Sequence, residues 1–240
     1  MELIEKKTNK IVFKAEMNET LANAIRRYLG HVQTLAIDEV EIEKNDSALY
    51  DETIAHRIGL IPIKTDKAVN EKTTASLKIS SDKEGIIYSG GLKGGVKVVY
   101  DKIPITLLNK DQEFELTAKV RAGKGFEHAK FSPGLMFYRN YANVKIEKDC
   151  PQEILENSKK SMIKTEGNKI IIQDLYSNPL CEETIEKYIK EGKTSIEIIP
   201  SDELVITVET FGQMEANEIL KKSIEALKKD LAIVEKKVEK

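Results

Sequence analysis

Two cysteines, Cys150 and Cys181, and three histidines, His31, His56 and His128, are all the thiols and imidazoles in 240 residues. Two thiols cannot complete a four-cysteine zinc site. None of the histidines stands in an HExxH or similar ligand spacing. In a reducing compartment such thiols stay unpaired by default. No apolar run approaches the ~20 residues that span a bilayer, and the opening MELIEKKTNK lacks the apolar core of a signal peptide. The expectation is a cytoplasmic protein with no membrane contact. Neither charge is in excess: 38 Lys and Arg against 40 Asp and Glu give −2. Sequence-independent nucleic-acid binding needs a concentrated basic face, so little or no direct nucleic-acid contact is expected. What remains is an ordinary globular composition, 40% hydrophobic and 32% charged, with length for one large domain or two small ones.

Residues 11–17, IVFKAEM, alternate as a half-buried strand does. Asn18 follows as a helix N-cap, with Glu19 in the first turn where the helix dipole favours an anion. The spacing then predicts a helix to about His31, with Leu21, Ile25, Tyr28 and Val32 on one stripe, Ala24 and Leu29 beside it, and Arg26 and Arg27 off it. TLAIDEVEIE reads as a second strand whose change of phase at Asp38-Glu39 marks a bulge or bend. From about Asn45 to Glu147 strand-like pieces alternate with turns: SLKIS, GIIYSGG, GGVKVVY, ITLL, FELTAKV and NVKIE. A short mixed block follows, with CPQEILE, a strand-like NKIIIQ and a helical CEETIEKYIKEG. Two strands, TSIEIIP and ELVITVETF, are expected on either side of a turn at Pro200-Ser201-Asp202. A long helix from near Glu215 closes the pattern. Its Leu220, Ile224, Leu227, Leu231, Val234 and Val238 recur every 3.5 residues, the spacing of a seam between packed helices, over ~35 Å.

Most candidate sites have a plain structural reading. Asp38, Glu39, Glu41 and Glu43 alternate faces along a solvated strand. GGLKGG lacks the GK[ST] ending of a phosphate loop and reads as a hairpin. GKGFEHAKFSP, with His128, has no nucleophile beside it. HRIGLIPIKT, residues 56–65, reads as a rigid apolar loop, with Gly59 allowing an unusual backbone angle and Pro62 fixing another. A ferredoxin-type run is C-x2-C-x2-C-x3-C; here that spacing holds Asn178, Cys181, Thr184 and Tyr188, and only one is a thiol. Asparagine and threonine do not replace thiolates, so no iron–sulfur cluster, and no other cofactor or metal, is expected.

ANAIRRYLG, TLAIDEVEIEKN, ETIAHRIGLIPIKT and GKGFEHAKFSPG resemble the alpha-type assembly subunits of RNA polymerase, nearest the archaeal D-type branch, over nearly the whole chain. The resemblance implies an α+β fold. A bipartite dimerisation domain of sheet plus helices (1–44 and 193–240) would carry a mostly β insert domain (45–147) and a small degenerate ferredoxin-like subdomain lacking cluster ligands (148–192). It implies a non-catalytic scaffold of archaeal DNA-directed RNA polymerase that pairs with the small subunit L. Leu21, Ile25, Tyr28 and Leu29, with Leu220, Ile224, Leu227, Leu231 and Val234, would then face L. Arg26, Arg27, His56, Arg57, Gly59, Leu60 and Pro62 would lie near the second-largest subunit, and the small zinc subunits N and P would join the platform. Unlike the bacterial alpha subunit, the chain shows no DNA-binding domain after its last helix. The alternative from another class is a redox or electron-transfer protein built on the ferredoxin-like block.

Overall fold

A computed structural model describes residues 1–65, 69–147, 150–167, 169–192 and 195–238. The block borders expected at 148 and 193 fall outside these residues. Among the described residues, twelve strands and five α-helices follow in chain order: β1 (Glu2–Lys7), β2 (Lys10–Glu16), α1 (Glu19–Tyr28), β3 (Gln33–Asn45), α2 (Asp51–Gly59), β4 (Thr74–Ser81), β5 (Gly85–Tyr88), β6 (Lys93–Gly94), β7 (Pro104–Leu108), β8 (Phe114–Lys124), β9 (Gly134–Glu147), α3 (Gln152–Asn157), β10 (Ile163–Glu166), β11 (Lys169–Ile172), α4 (Pro179–Glu191), β12 (Ser195–Thr210) and α5 (Ala216–Val238). The fold is mixed α and β with more strand than helix. It divides into two units. One holds residues 1–5, 12–22 and 137–207, the other 6–11, 23–136 and 208–240.

The larger unit is built on an antiparallel sheet of order β3-β8-β4-β6. Its inner face supplies Leu35, Ile37, Leu77, Ile79, Leu116 and Val120 to one core. Helix α2 lays Ile54 and Ile58 on that core, and the two-stranded ribbon β5-β7 adds Ile87, Ile105 and Leu108. The predicted change of phase in β3 is real: the β3–β8 register shifts between Ile37 and Glu39. The slip lets Ile37 stay inward and Glu39, Glu41 and Glu43 all turn to solvent. These acids are therefore not spread over two faces. Residues two apart share a face, and Glu39 and Glu41 both bond Lys119 on β8, while Glu43 accepts from Thr117. Asp38, in the bulge, takes Arg121 at 2.7 Å and Lys130 at 2.6 Å. Those two cations hold its carboxyl below the usual carboxylate range.

In the smaller unit β9, β11 and β10 pair antiparallel. They belong to a six-stranded sheet of order β1-β2-β12-β9-β11-β10, most of whose residues fall in this unit. Val144, Ile146 and Ile172 pack with Ile154 of α3 and with Cys181 and Ile185 of α4. Arg139 forms a two-pronged ion pair with Asp174, whose backbone is left-handed at φ 55°. Helix α4 starts where Asn178 accepts the Leu180 N–H and stops at Gly192, φ 65°, the usual glycine stop after a helix.

Four local expectations are corrected. HRIGLIPIKT is not a loop throughout: His56–Gly59 form the last turn of α2. Ile58, Ile61 and Ile63 are buried because the sheet offers them a core, and Gly59 needs no unusual backbone angle. Of GGVKVVY only Gly94 lies in a strand, as the end of the two-residue β6, and Val98 makes an isolated bridge with Ile63. GGLKGG is a 3-10 turn running into that edge strand rather than a hairpin. Pro200-Ser201-Asp202 make no turn. They lie inside the continuous β12, where sheet pairing overrides local turn preference.

Candidate partner-binding surfaces

Helix α1 begins as the sequence requires, with Asn18 Oδ1 accepting the Leu21 N–H at 2.8 Å. Arg26 and Arg27 are exposed on its last turn, and the Arg26 guanidinium bonds Asn23 Oδ1. Along the stripe expected to face a partner, Leu21 is exposed and Tyr28 half-buried, whereas Ile25 and Leu29 are 5% and 3% exposed and serve the chain's own core. The Tyr28 hydroxyl donates to Asp230 of α5 at 3.0 Å, which pushes the phenol pKa up. The Tyr28 ring stacks on His31 at 4.5 Å, and His31 lies against Phe126 at 5.2 Å. Sequence reading missed this anchor, because no spacing rule links residues 202 apart.

Helix α5 carries two stripes. Ala216, Ile219 and Ser223 are buried in the chain, continued by half-buried Ala226 and Asp230. Leu220, Ile224 and Leu227 are half-buried, and Leu231 and Val234 are 58% and 57% exposed. At 3.6 residues per turn the second stripe lies about 90° around the helix from the first. All eight residues from Leu231 to Val238 are exposed. The 3.5-residue repeat thus marks a stripe distinct from the one the chain uses itself. Ser223, a hydroxyl in the buried stripe, hid the other; it is satisfied by bonding the Leu220 carbonyl at 2.8 Å.

A second surface surrounds the end of α2. His56 and Leu60 are exposed, Arg57, Gly59 and Pro62 half-buried, and the Arg57 guanidinium donates to the Pro104 carbonyl at 2.8 Å. The four cluster-spaced positions meet on α4, but their side chains are otherwise engaged. Asn178 bonds the Asn157 carbonyl, Thr184 donates to the Leu180 carbonyl at 2.7 Å, and Tyr188 donates to Glu153 at 3.0 Å. Cys181 is buried with its sulfur 3.1 Å from Ser158 Oγ. Cys150 is half-buried, and burial pushes its thiol pKa up. Both cysteines are free. Among the described residues no group of acids, histidines and cysteines is arranged to hold a metal ion, and no helix is long and apolar enough to cross a membrane.

A family model described as the RNA polymerase Rpb3/RpoA insert domain matches residues 40–136, a stretch within the larger unit. The chain is 36% identical to DNA-directed RNA polymerase subunit Rpo3 of Pyrococcus horikoshii, over 95% of this chain and 93% of that protein. This chain belongs to the Rpo3 family of DNA-directed RNA polymerase subunits. The Rpo3 of Pyrococcus furiosus is 35% identical over 95% and 92% of the two chains. Subunit 3 of RNA polymerases II, IV and V of Arabidopsis thaliana is 30% identical over 92% and 86%. The Rpo3-family chain is accordingly an archaeal alpha-type subunit of the transcribing enzyme and part of its complex. The electron-transfer alternative finds no support.

Proposed function

We propose that this Rpo3-family chain is a non-catalytic assembly platform of the archaeal D type, acting in the cytoplasm. It pairs with the small subunit L and then seats the large subunits. The observation that carries the reading is the second stripe of α5. A helix that already satisfies its own chain on one side has no intramolecular reason to keep a regular row of Leu, Ile and Val on another, since exposed apolar surface in contiguous patches marks interaction sites. Leu220, Ile224, Leu227, Leu231 and Val234 would meet L together with Leu21 and the open edge of Tyr28. Ile25 and Leu29 would back α1 from inside. An obligate interface of this kind buries upwards of ~2,000 Å².

Arg26 and Arg27, with His56, Arg57, Gly59, Leu60 and Pro62, form the reading's contact with the second-largest subunit, arginine being favoured in interfaces. Subunits N and P complete the platform. The block 148–192 is read as a ferredoxin-like remnant that holds no iron–sulfur cluster. One thiol at four positions, with the other three side chains hydrogen-bonded elsewhere, does not fit such a group. The domain borders set out above belong to the same reading.

Light scattering of the chain alone and co-expressed with an archaeal L subunit tests it. A stable one-to-one complex is the expected result. A monomer that ignores L at micromolar concentration would overturn the heterodimer.

A further inference from the structure

We propose that the outer face of the ribbon β5-β7 docks the same large subunit that the proposed function seats at the end of α2; the inference rests on that reading. An antiparallel ribbon with one solvated face alternates apolar and polar residues. Here both faces are apolar. Ile87, Ile105 and Leu108 point into the core. On the other side Ile86 stands directly opposite Leu107, and past a shift of register Tyr88 stands opposite Pro104. All four are exposed. Thr106 is buried opposite Ile87, so even the hydroxyl of β7 is kept off the outer face. GIIY and PITLL thus have the composition of strands covered on both sides.

This face runs into the surface at the end of α2. The Arg57 guanidinium donates to the Pro104 carbonyl at 2.8 Å, which ties α2 to the corner of the ribbon where Tyr88 and Pro104 meet. Leu60 follows Arg57 by three residues, at the C-terminal end of the helix. Ile86, Tyr88, Leu107 and Leu60 are 43% to 55% exposed. From Leu60 through Arg57 and Pro104 to Tyr88, and on to Ile86 and Leu107, the strip is continuous. Contiguous exposed apolar surface marks interaction sites.

Position selects the occupant. Helix α2 packs on β7, whereas α5, whose outer stripe the reading gives to L, packs on the turn after α1. A polypeptide seated on the end of α2 therefore meets the ribbon, and it needs an apolar surface of its own to cover Ile86 and Leu107. A polyanion is a poor match, because Arg57 is the one cation in the strip and is already bonded to Pro104.

The test uses the full chain, tagged and co-expressed with L and the second-largest subunit of an archaeal polymerase, and reads the large subunit retained on the tag. Leu107→Asp should lower retention at least tenfold, since it would bury an unpaired carboxylate. Leu107→Ala, which removes about half a leucine's worth of buried contact, should weaken binding roughly 5–30-fold. Both variants should still pair with L and melt within about 2 °C of the parent, as surface substitutions do. Leu60→Asp probes the end of α2 separately. Loss of the large subunit with Leu60→Asp but full retention with both Leu107 variants would overturn the ribbon and leave the α2 contact standing. Full retention with all three would overturn both. A chain that dimerises alone in light scattering, and turns monomeric with Leu107→Asp, would give the face to a second copy and overturn the large-subunit occupant.

Discussion

Replacing Leu231 with aspartate should break the pairing with L while leaving the chain itself folded. Fully burying a leucine side chain stabilises by about 1.5–3 kcal/mol. Leu231 is 58% exposed in the chain, so more than half of that, about 1–2 kcal/mol, is left for a partner to supply. Leu231→Ala should therefore weaken the heterodimer roughly 5–30-fold, at about 1.4 kcal/mol per factor of ten. Leu231→Asp adds the desolvation of an unpaired carboxylate, several kcal/mol more, and should abolish a complex detectable at micromolar concentration. In the isolated chain both changes are surface substitutions, expected within about 0.5 kcal/mol of the parent. Ile219→Ala is the contrast. Ile219 sits in the stripe the chain uses itself and is fully buried, so it should cost about 2–5 kcal/mol of the chain's own stability. Titration calorimetry against purified L reads the first pair, and thermal melting of the chain alone reads all three. Unchanged affinity of Leu231→Asp for L would refute the interface. A melting loss for Leu231→Asp as large as that of Ile219→Ala would refute the separation of the two stripes.

Four further outcomes follow from the same geometry. Arg139→Met strands the nearly buried Asp174 without its cation and should lower stability by about 2–4 kcal/mol, read as a lower urea midpoint. Gly134→Ala places a methyl 2.1 Å from the Glu209 carbonyl oxygen and should cost about 2–3 kcal/mol; Gly59→Ala, helical with open space around it, should add about 0.5 kcal/mol, both read by melting temperature. The pairing of Asp38 with Arg121 and Lys130 lowers its folded-state pKa. Its contribution is thus present above the unfolded carboxyl value of about 3.9 and is lost as pH falls through the lower folded value. Asp38→Asn should flatten that acid limb in melts at decreasing pH.

Sequence alone determined what depends on neighbours along the chain. The Asn18 cap of α1 and the change of phase at Asp38 were legible, because a cap and a broken alternation each involve a few consecutive residues. The repeat of Leu220, Ile224, Leu227, Leu231 and Val234 was legible for the same reason. Tertiary structure decided the rest. It turned His56–Gly59 into helix because Ile54 and Ile58 found a sheet to pack on. It carried β12 straight through Pro200, since strand pairing outweighed a local turn preference. It brought Glu39 and Glu41 onto one lysine from a strand about eighty residues away. It also determined which side of α5 the chain keeps for itself. That choice rests on Tyr28 reaching Asp230 and on Ile219 and Ser223 fitting a core, contacts between segments remote in sequence that no periodicity encodes.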